Sequence, residues 1–517
     1  MNIMSSQSTQ SLLAGMLKDP SKLSEQTVTG ISLDSRLVED GYLFLSLAKD
    51  VELRERNLKQ ALTVQLALVL YEASQPLSDI EQLLVTQSNT LAIAVKSLAD
   101  KSGEIAARFY GHPSMALTVI AVTGTNGKTS VSQFIAQALE SLAIPCGVIG
   151  TLGIGRIDSL TDTGMTTPDP VSVQRVLADF YHSNIKYVVI EASSHALSQG
   201  RLNSVDVDVA VHTNLTRDHL DYHKTMAEYA QAKAQLFDFE SIRTAVINSD
   251  DDFGQSLIAK LSGKTSLTLS CYSRSQTAEN IDFQADNISM TASGIIFDLI
   301  TEHGQDHIHS KILGEFNVDN LLATIATLNA LGLEHTDIVK AISSCHAVEG
   351  RMEMLGGAEL ATVVIDFAHT PDALTQALTS LRHHVSGKAQ LLCVYGCGGN
   401  RDSGKRPLMG AAVEKYADHF VITDDNPRDE DPQQIILDII SGVENKESIS
   451  IEHNRKLAIT SEINRANKGD IVLVAGKGHE QYQEIAGIKH IFSDKQVVQN
   501  VLIAANDGSA SSREAKV

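Results

Sequence analysis

The sequence predicts an α/β protein built from three domains. Three observations point there. The 517 residues exceed what one hydrophobic core organises, and an apolar fraction of 43% is ample for several. From Val119 onward, short apolar runs alternate with helix-length stretches, as expected of βαβ units around parallel sheets. A glycine loop, Gly124-Thr125-Asn126-Gly127-Lys128-Thr129-Ser130, stands between one such run and one such helix. The expected domains are a small N-terminal α/β domain at 1–112, a central P-loop ATPase-like, mostly parallel sheet at 113–346, and a C-terminal Rossmann-like sheet at 347–505. Residues 506–517 are small, polar and charged and read as a flexible tail.

The elements follow in order. Tyr42-Leu43-Phe44-Leu45-Ser46-Leu47 reads as a strand, and residues 60–71 are apolar enough to pack in a core. Val119-Ile120-Ala121-Val122-Thr123 reads as a buried strand and residues 131–139 as a helix. Between them, glycines let backbone N–H groups turn toward an anion, and the helix N-terminus adds partial positive charge. Lys128 reaches outer phosphates, and Thr129 or Ser130 offers a hydroxyl to Mg²⁺. The strict phosphate-loop pattern has glycine where this chain has Val122, so the loop is a shortened variant. Further strands are Tyr187-Val188-Val189-Ile190, Val207-Asp208-Val209-Ala210-Val211 and Ala245-Val246-Ile247. Residues 267–309 change to short alternating segments, which predicts an antiparallel excursion, and Asn317 to Leu331 is a helix ended by Gly332. The last domain has strands at Thr362-Val363-Val364-Ile365, residues 390–395, Phe420-Val421-Ile422-Thr423 and Ile471-Val472-Leu473-Val474-Ala475. Helices between them predict a mostly parallel sheet.

Bulk properties exclude several classes. The formal charge, 42 − 63 = −21, argues against nucleic acid as the partner. Cys146, Cys271, Cys345, Cys393 and Cys397 are scattered, which fits buried thiols in a reducing compartment rather than a disulfide frame or a zinc site. No apolar run reaches membrane-spanning length, and Met1 to Gln10 carries no leader pattern. A cytoplasmic monomer without membrane insertion is the expectation.

Chemistry-bearing residues gather at strand ends. Glu191 directly follows Tyr187–Ile190, where a carboxylate can hold the Mg²⁺ that bridges ATP phosphates. Asn214 to His223 is dense in titratable groups, and His219 and His223 are spaced like two ligands on one helix face. Composition alone makes Lys233 a solvated helix lysine. Three glycine-rich turns follow strands of the last sheet: Gly396 to Pro407, Asp424-Asp425-Asn426-Pro427-Arg428, and Gly476-Lys477-Gly478-His479-Glu480. Their tips can converge on a zwitterion. Arg401 and Arg428 suit carboxylates, and Asp425 or Glu480 an ammonium.

These strings, with Glu191-Ala192-Ser193-Ser194-His195, Gly314-Glu315-Phe316-Asn317, Glu349-Gly350-Arg351-Met352-Glu353 and Asp366-Phe367-Ala368-His369-Thr370-Pro371, resemble the Mur ligase family, ATP-dependent amino-acid ligases of peptidoglycan synthesis. The Asp-Asn-Pro-Arg string resembles the branch that adds meso-diaminopimelate to UDP-N-acetylmuramoyl-dipeptide. Diaminopimelate has a far-end carboxylate for Arg428, whereas lysine has an ammonium that an arginine repels. The resemblance implies that ATP sits on Gly124 to Ser130 with Asn317, Arg351 and Asp366 on its nucleotide side. It implies Mg²⁺ ligation by Thr129, Glu191, His219 and a carbamylated Lys233, and catalytic roles for Lys128, Glu191, His219 and Lys233. It assigns Leu33, Ser35, Thr166, Thr167, Ser193, Gln199 and Arg201 to the UDP-sugar-dipeptide. It assigns Arg401, Asp425, Asn426, Pro427, Arg428, Gly476 and Glu480 to the incoming amino acid. The implied reaction passes through an acyl phosphate. Where the family has a glycine-containing uridine loop, this chain reads Lys49-Asp50-Val51-Glu52-Leu53-Arg54-Glu55-Arg56-Asn57. The alternatives are a same-family ligase adding lysine or another amino acid, and a nucleotide-binding regulatory relative without turnover.

Overall fold

A computed structural model describes residues 6–17, 23, 25–275, 281–291, 294–357 and 360–514. The chain divides into two compact units, Met1–Cys271 and Tyr272–Val517.

The first unit holds two α/β layers. Strands β1 (Gly30–Ser32), β2 (Tyr42–Ser46), β3 (Leu68–Glu72) and β4 (Ala92–Val95) form a parallel sheet in that order. Leu43 and Leu45 pack on one face and Phe44 on the other, each in its own buried cluster, which is why this run is apolar without alternation. Helices α1 (Val51–Ala61), α2 (Asp79–Gln87) and α3 (Leu98–Tyr110) cover the sheet. Asp50 caps α1 by accepting the Leu53 N–H at 2.8 Å. Arg54 makes a fully buried, two-pronged pair with Glu81 at 2.7 and 2.8 Å. The stretch that replaces the expected uridine loop is therefore a pinned helix.

The second layer begins at β5 (Thr118–Thr123), followed by α4 (Lys128–Ser141), β6 (Cys146–Gly150), β7 (Gly153–Gly155) and α5 (Pro170–His182). Next come β8 (Tyr187–Glu191), α6 (Ser194–Ser198), β9 (Val209–His212), α7 (Leu220–His223), α8 (Met226–Ala234), β10 (Thr244–Asn248) and α9 (Asp252–Leu261). The parallel strand order β10-β9-β5-β8-β6 carries β7 antiparallel at one edge, and β11 (Thr268–Ser273) lies beside β10. Its core gathers residues such as Val119, Ile149, Leu177, Val188 and Ala245.

The second unit opens with the expected antiparallel excursion. Strands β12 (Phe283–Thr291), β13 (Gly294–Thr301) and β14 (Gly304–Ser310) form a meander, and Tyr272 of β11 pairs with Phe283 in the parallel sense. Helices α10 (Phe316–Ala330) and α11 (His335–Ser344) follow, the first close to the predicted span. The last sheet has the order β15 (Glu353–Gly356), β16 (Thr362–Asp366), β20 (Ile471–Ala475), β17 (Leu391–Tyr395), β18 (His419–Ile422), β19 (Ser450–Ile451). Only β15 is antiparallel. Helices α12 (Pro371–Arg382), α13 (Lys405–Tyr416), α14 (Pro432–Ile440), α15 (Arg455–Arg465) and α16 (Asp494–Glu514) pack around it, and a hairpin of β21 (Tyr482–Ile485) and β22 (Ile488–Ile491) follows β20. The backbone of α16 extends into the predicted tail; residues 515–517 lie outside the described residues.

His384, just past α12, is buried and has both ring nitrogens engaged. Nε2 accepts the Gly314 N–H at 3.0 Å, so Nδ1 carries the proton donated to the Thr291 carbonyl at 2.6 Å. Ser380 Oγ accepts the Glu315 N–H at 2.7 Å. These bonds tie the meander and the entry to α10 onto α12. All five cysteines are buried, and burial raises the pKa of Cys345 and Cys397 to about 12. Among the described residues no helix is long and apolar enough to cross a membrane.

Candidate functional site

In the first unit the glycine loop leaves β5 at Thr123 and enters α4 at Lys128. Val122 is still paired in the sheet, opposite Glu191, which is why the loop is shorter than the strict pattern. Gly124 is obligatory: any Cβ there would collide with Thr213 Oγ1. The segment after β9 braces the loop. Asn214 accepts the Asn126 N–H at 2.9 Å, its carbonyl accepts the Thr125 N–H at 2.8 Å, and Thr213 Oγ1 donates to the Asn126 carbonyl at 2.6 Å. Gly127 caps α4 without a side-chain bond, which leaves first-turn N–H groups for an anion.

Two lysines address one carbonyl. Lys128 Nζ donates to Gly124 O at 2.9 Å and to Thr125 O at 2.9 Å, and Lys233 Nζ donates to Gly124 O at 2.6 Å. Lys233 is buried, 1% exposed, with its amine 4.4 Å from the Tyr229 ring centroid. Composition made it a solvated lysine; the fold corrects that. Burial, reinforced by Lys128 and opposed by Asp218, pushes its pKa well below the ordinary lysine value.

Glu191 is fully buried at the end of β8. Its carboxylate accepts from Thr129 Oγ1 at 2.9 Å and from the Thr151 N–H and Oγ1, each at 2.9 Å. No cationic side chain bonds it among the described residues, so a buried carboxylate faces the phosphate loop uncompensated. Its oxygens and the Thr129 hydroxyl suit a hard cation. Among the described residues no group of three or more His, Cys, Asp and Glu is arranged to hold a metal alone. Phosphate oxygens would have to complete the shell.

His219 and His223 do not share one helix face. His219 is the left-handed cap of α7, φ 53°, whereas His223 is buried against Ser194 Oγ at 2.9 Å. Burial lowers the His219 pKa, with Asp218 opposing, so the imidazole is biased toward the neutral, ligating form. Around it stand His195, 4.9 Å away by ring centroids, and Tyr229 at 6.1 Å. Thr166 meets Thr151 at 3.0 Å, and Thr167 Oγ1 bonds the Glu191 carbonyl at 2.6 Å and Ser193 Oγ at 3.1 Å. Arg201 donates to the Thr167 carbonyl at 2.5 Å and to Gln199 Oε1 at 2.7 Å. These residues form one connected wall beside the loop. Leu33 and Ser35 follow β1, outside that network, and Ser35 Oγ donates to Gln60 Oε1 of α1 at 3.0 Å.

In the second unit Asp366 ends β16 and accepts the Met352 and Ala368 N–H groups, both at 2.8 Å. Burial raises its pKa, with Arg351 and these N–H groups opposing. The Arg351 guanidinium lies 4.7 Å from the Phe367 ring centroid, and its buried Nε has no hydrogen-bond partner among the described residues. Asn317 is engaged within the fold: it donates to the Leu313 carbonyl at 2.7 Å and accepts from Asn320 at 2.7 Å.

The three glycine turns converge. Gly399 has no room for a side chain because Pro427 O occupies that space, and Gly399 N–H donates to the Asn426 carbonyl at 2.9 Å. Asn426 donates to Glu480 Oε2 at 2.9 Å and accepts from the buried Lys477 amine at 3.0 Å. Arg428, with φ 52°, donates from Nη1 to Gly399 O at 2.7 Å, and its Nε pairs with Glu484 at 3.2 Å. The Gly476 N–H donates to the Asp366 carbonyl at 3.0 Å, which joins the end of β16 to the turns. Asp425 is 8% exposed and its carboxylate has no hydrogen-bond partner among the described residues. Arg401 is exposed at the tip of its turn.

Sequence reasoning missed Thr151, the residue just past β6, one position beyond the register of Glu191 at the end of β8. It also missed the loop-bracing role of Asn214 and the buried roles of Arg406 and Lys477.

Residues 122–328 match the Mur ligase middle domain, and residues 350–478 match the Mur ligase, glutamate ligase domain. Over 492 residues the chain is 43% identical to UDP-N-acetylmuramoyl-L-alanyl-D-glutamate--2,6-diaminopimelate ligase of Xanthomonas campestris pv. campestris, covering 95% of this chain and 97% of that protein. The like-named protein of Pseudomonas aeruginosa is 44% identical over 474 residues, covering 92% and 95%. A solved structure of UDP-N-acetylmuramoyl-L-alanyl-D-glutamate--2,6-diaminopimelate ligase superposes with a TM-score of 0.72 at 36% identity, over 97% of this chain and 99% of that one. MurF from Acinetobacter baumannii shares the fold, with a TM-score of 0.64 at 17% identity over 96% and 99%.

Proposed function

The chain belongs to the Mur ligase family, and from that premise we propose how its residues perform the family's chemistry. It is an ATP-dependent, ADP-forming ligase that adds meso-diaminopimelate to UDP-N-acetylmuramoyl-L-alanyl-D-glutamate. The observation that carries the amino-acid choice is the braced turn Asp425–Arg428, which holds the Arg428 guanidinium and the buried Asp425 carboxylate in one turn.

The loop Gly124 to Ser130 holds the ATP phosphates on its N–H groups, and Lys128 exchanges its two carbonyl bonds for phosphate oxygens. Thr129, Glu191, His219 and Lys233 would hold Mg²⁺, which when bound offsets charge on the transferred phosphoryl group. Lys233, held toward its neutral amine, is suited to add to CO₂, which with loss of one N–H proton would make it an anionic carbamate ligand. Thr166, Thr167, Ser193, Gln199 and Arg201 orient the dipeptide so that its terminal carboxylate meets the γ-phosphate and becomes an acyl phosphate. Leu33 and Ser35 hold the uridine end. Asn317, Arg351 and Asp366 bind the nucleoside side, with Asn317 acting through the helix entry it fastens. Arg401 and Arg428 take the far carboxylate of diaminopimelate, and Asp425, Asn426, Gly476 and Glu480 its neighbouring ammonium. The free amine then attacks the acyl carbon and phosphate leaves. We place the domain limits at 1–112, 113–346 and 347–505, and take the protein to be a cytoplasmic monomer.

The test is turnover. Purified protein is expected to release phosphate from ATP only when the UDP-dipeptide and diaminopimelate are both present. Equal turnover with lysine would remove the specificity, and none with any amino acid would favour a regulatory relative.

A further inference from the structure

We infer that Arg406 is a positioning residue that sets the spacing of Arg401 and Arg428, and through it the preference for an amino acid with a second carboxylate. This rests on the ligase reading above. Arg406 sits in the first turn of α13 and its side chain is 2% exposed. Its guanidinium bonds three separate segments. Nη1 donates to Asp438 of α14 at 2.8 Å, and Nη2 to both Glu430 oxygens at 2.9 and 3.0 Å and to the Gly398 carbonyl at 3.3 Å.

Glu430 completes the link, because its Oε1 also accepts the N–H of Asn400, the residue before Arg401. Asn400 Nδ2 reaches Asp429 at 3.2 Å, and Arg428 Nη1 reaches the Gly399 carbonyl at 2.7 Å. One buried cation and one carboxylate therefore lock the turn that carries Arg401 to the turn that carries Arg428. Arg401 depends on this lock most, since it is exposed and makes no bond of its own among the described residues. Arg406 is buried, with both Nη groups engaged by Asp438, Glu430 and Gly398, and so acts through the turns it holds. Its planar fork matters here: a lysine keeps the charge but bonds two carboxylates and a carbonyl without the fixed angles that set the turns' separation. A bidentate grip on a far carboxylate needs that separation held within a fraction of an ångström. An amino acid without such a carboxylate does not use it.

The experiment compares the full-length protein with Arg406→Lys, Glu430→Gln and Arg428→Ala. Steady-state constants for meso-diaminopimelate and ATP are measured beside the thermal midpoint. The expected result for the first two is a KM for diaminopimelate raised roughly tenfold, with kcat and the KM for ATP within about twofold. Combining Glu430→Gln with Arg428→Ala is expected to add little to Arg428→Ala alone, because both act on one contact. Unchanged constants would overturn the inference. So would a loss of kcat on all substrates that tracks a lowered midpoint, which is what a merely structural role predicts. An unmodified protein that uses lysine as well as diaminopimelate, or neither, would overturn the ligase specificity itself and this inference with it.

Discussion

The carbonyl of Gly124 receives both Lys128 and Lys233, and this shared acceptor sets the charge state of the two amines beside the proposed phosphate site. Two amines on one oxygen cannot both stay charged in a buried setting without mutual cost, and the more buried Lys233 is the one driven toward neutrality. A neutral amine is a nucleophile for CO₂, whereas an ammonium is not. Lys233→Met is therefore expected to lower turnover by about a hundredfold or more, while nucleotide binding on the glycine loop persists. Depleting bicarbonate from the assay should lower the activity of the unmodified protein and leave the variant unmoved. Equal sensitivity of the two would show that Lys233 works only as a packed amine. The plain reading of this residue failed because the stretch Glu228 to Phe237 shows a strong helix pattern but no mark of which face is covered. Its burial is a tertiary fact.

At the scale of elements, the glycine loop was legible because strand, glycines and helix leave a local pattern. The segment at 49–57 was legible only as a departure. The structure shows why: Asp50 caps a regular helix, and Arg54 buries its guanidinium against Glu81, itself part of a capping box with Ser78. Each partner holds the other charged, Arg54 raised and Glu81 lowered. Removing one leaves the other charge buried and alone, which costs about 3–5 kcal/mol. Glu81→Ala is expected to destabilise the protein by that order in denaturant unfolding, whereas replacing both by apolar residues of similar volume should cost much less. A loss below about 1 kcal/mol for the single variant would refute the assignment. Buried arginines such as Arg54, Arg406 and Arg455 look like surface residues in a sequence, since nothing local marks the carboxylates they will meet.

For the whole molecule, His384 fastens the meander, the entry of α10 and α12 through a single tautomer. Burial, with His383 adding and the Thr291 carbonyl opposing, lowers its pKa below the ordinary 6.5. The unfolded chain takes up this proton near that value while the folded one does not. The contribution is thus present above about pH 6.5 and lost as pH falls through the folded value. Unfolding free energy is expected to fall less steeply on acidification in His384→Gln than in the parent; identical slopes would refute the role. The three α/β layers could be read from periodicity, but this fastening could not, because its partners lie far apart in the chain. The five shielded cysteines, in a chain with no tryptophan, have a practical consequence. The native protein is blind to thiol-directed dyes and dark in the indole fluorescence band. One cysteine or tryptophan introduced on an exposed surface turn outside the proposed site, such as at Lys388, would report without background, so ligand-linked motion can be followed in the intact enzyme rather than in a cysteine-free derivative.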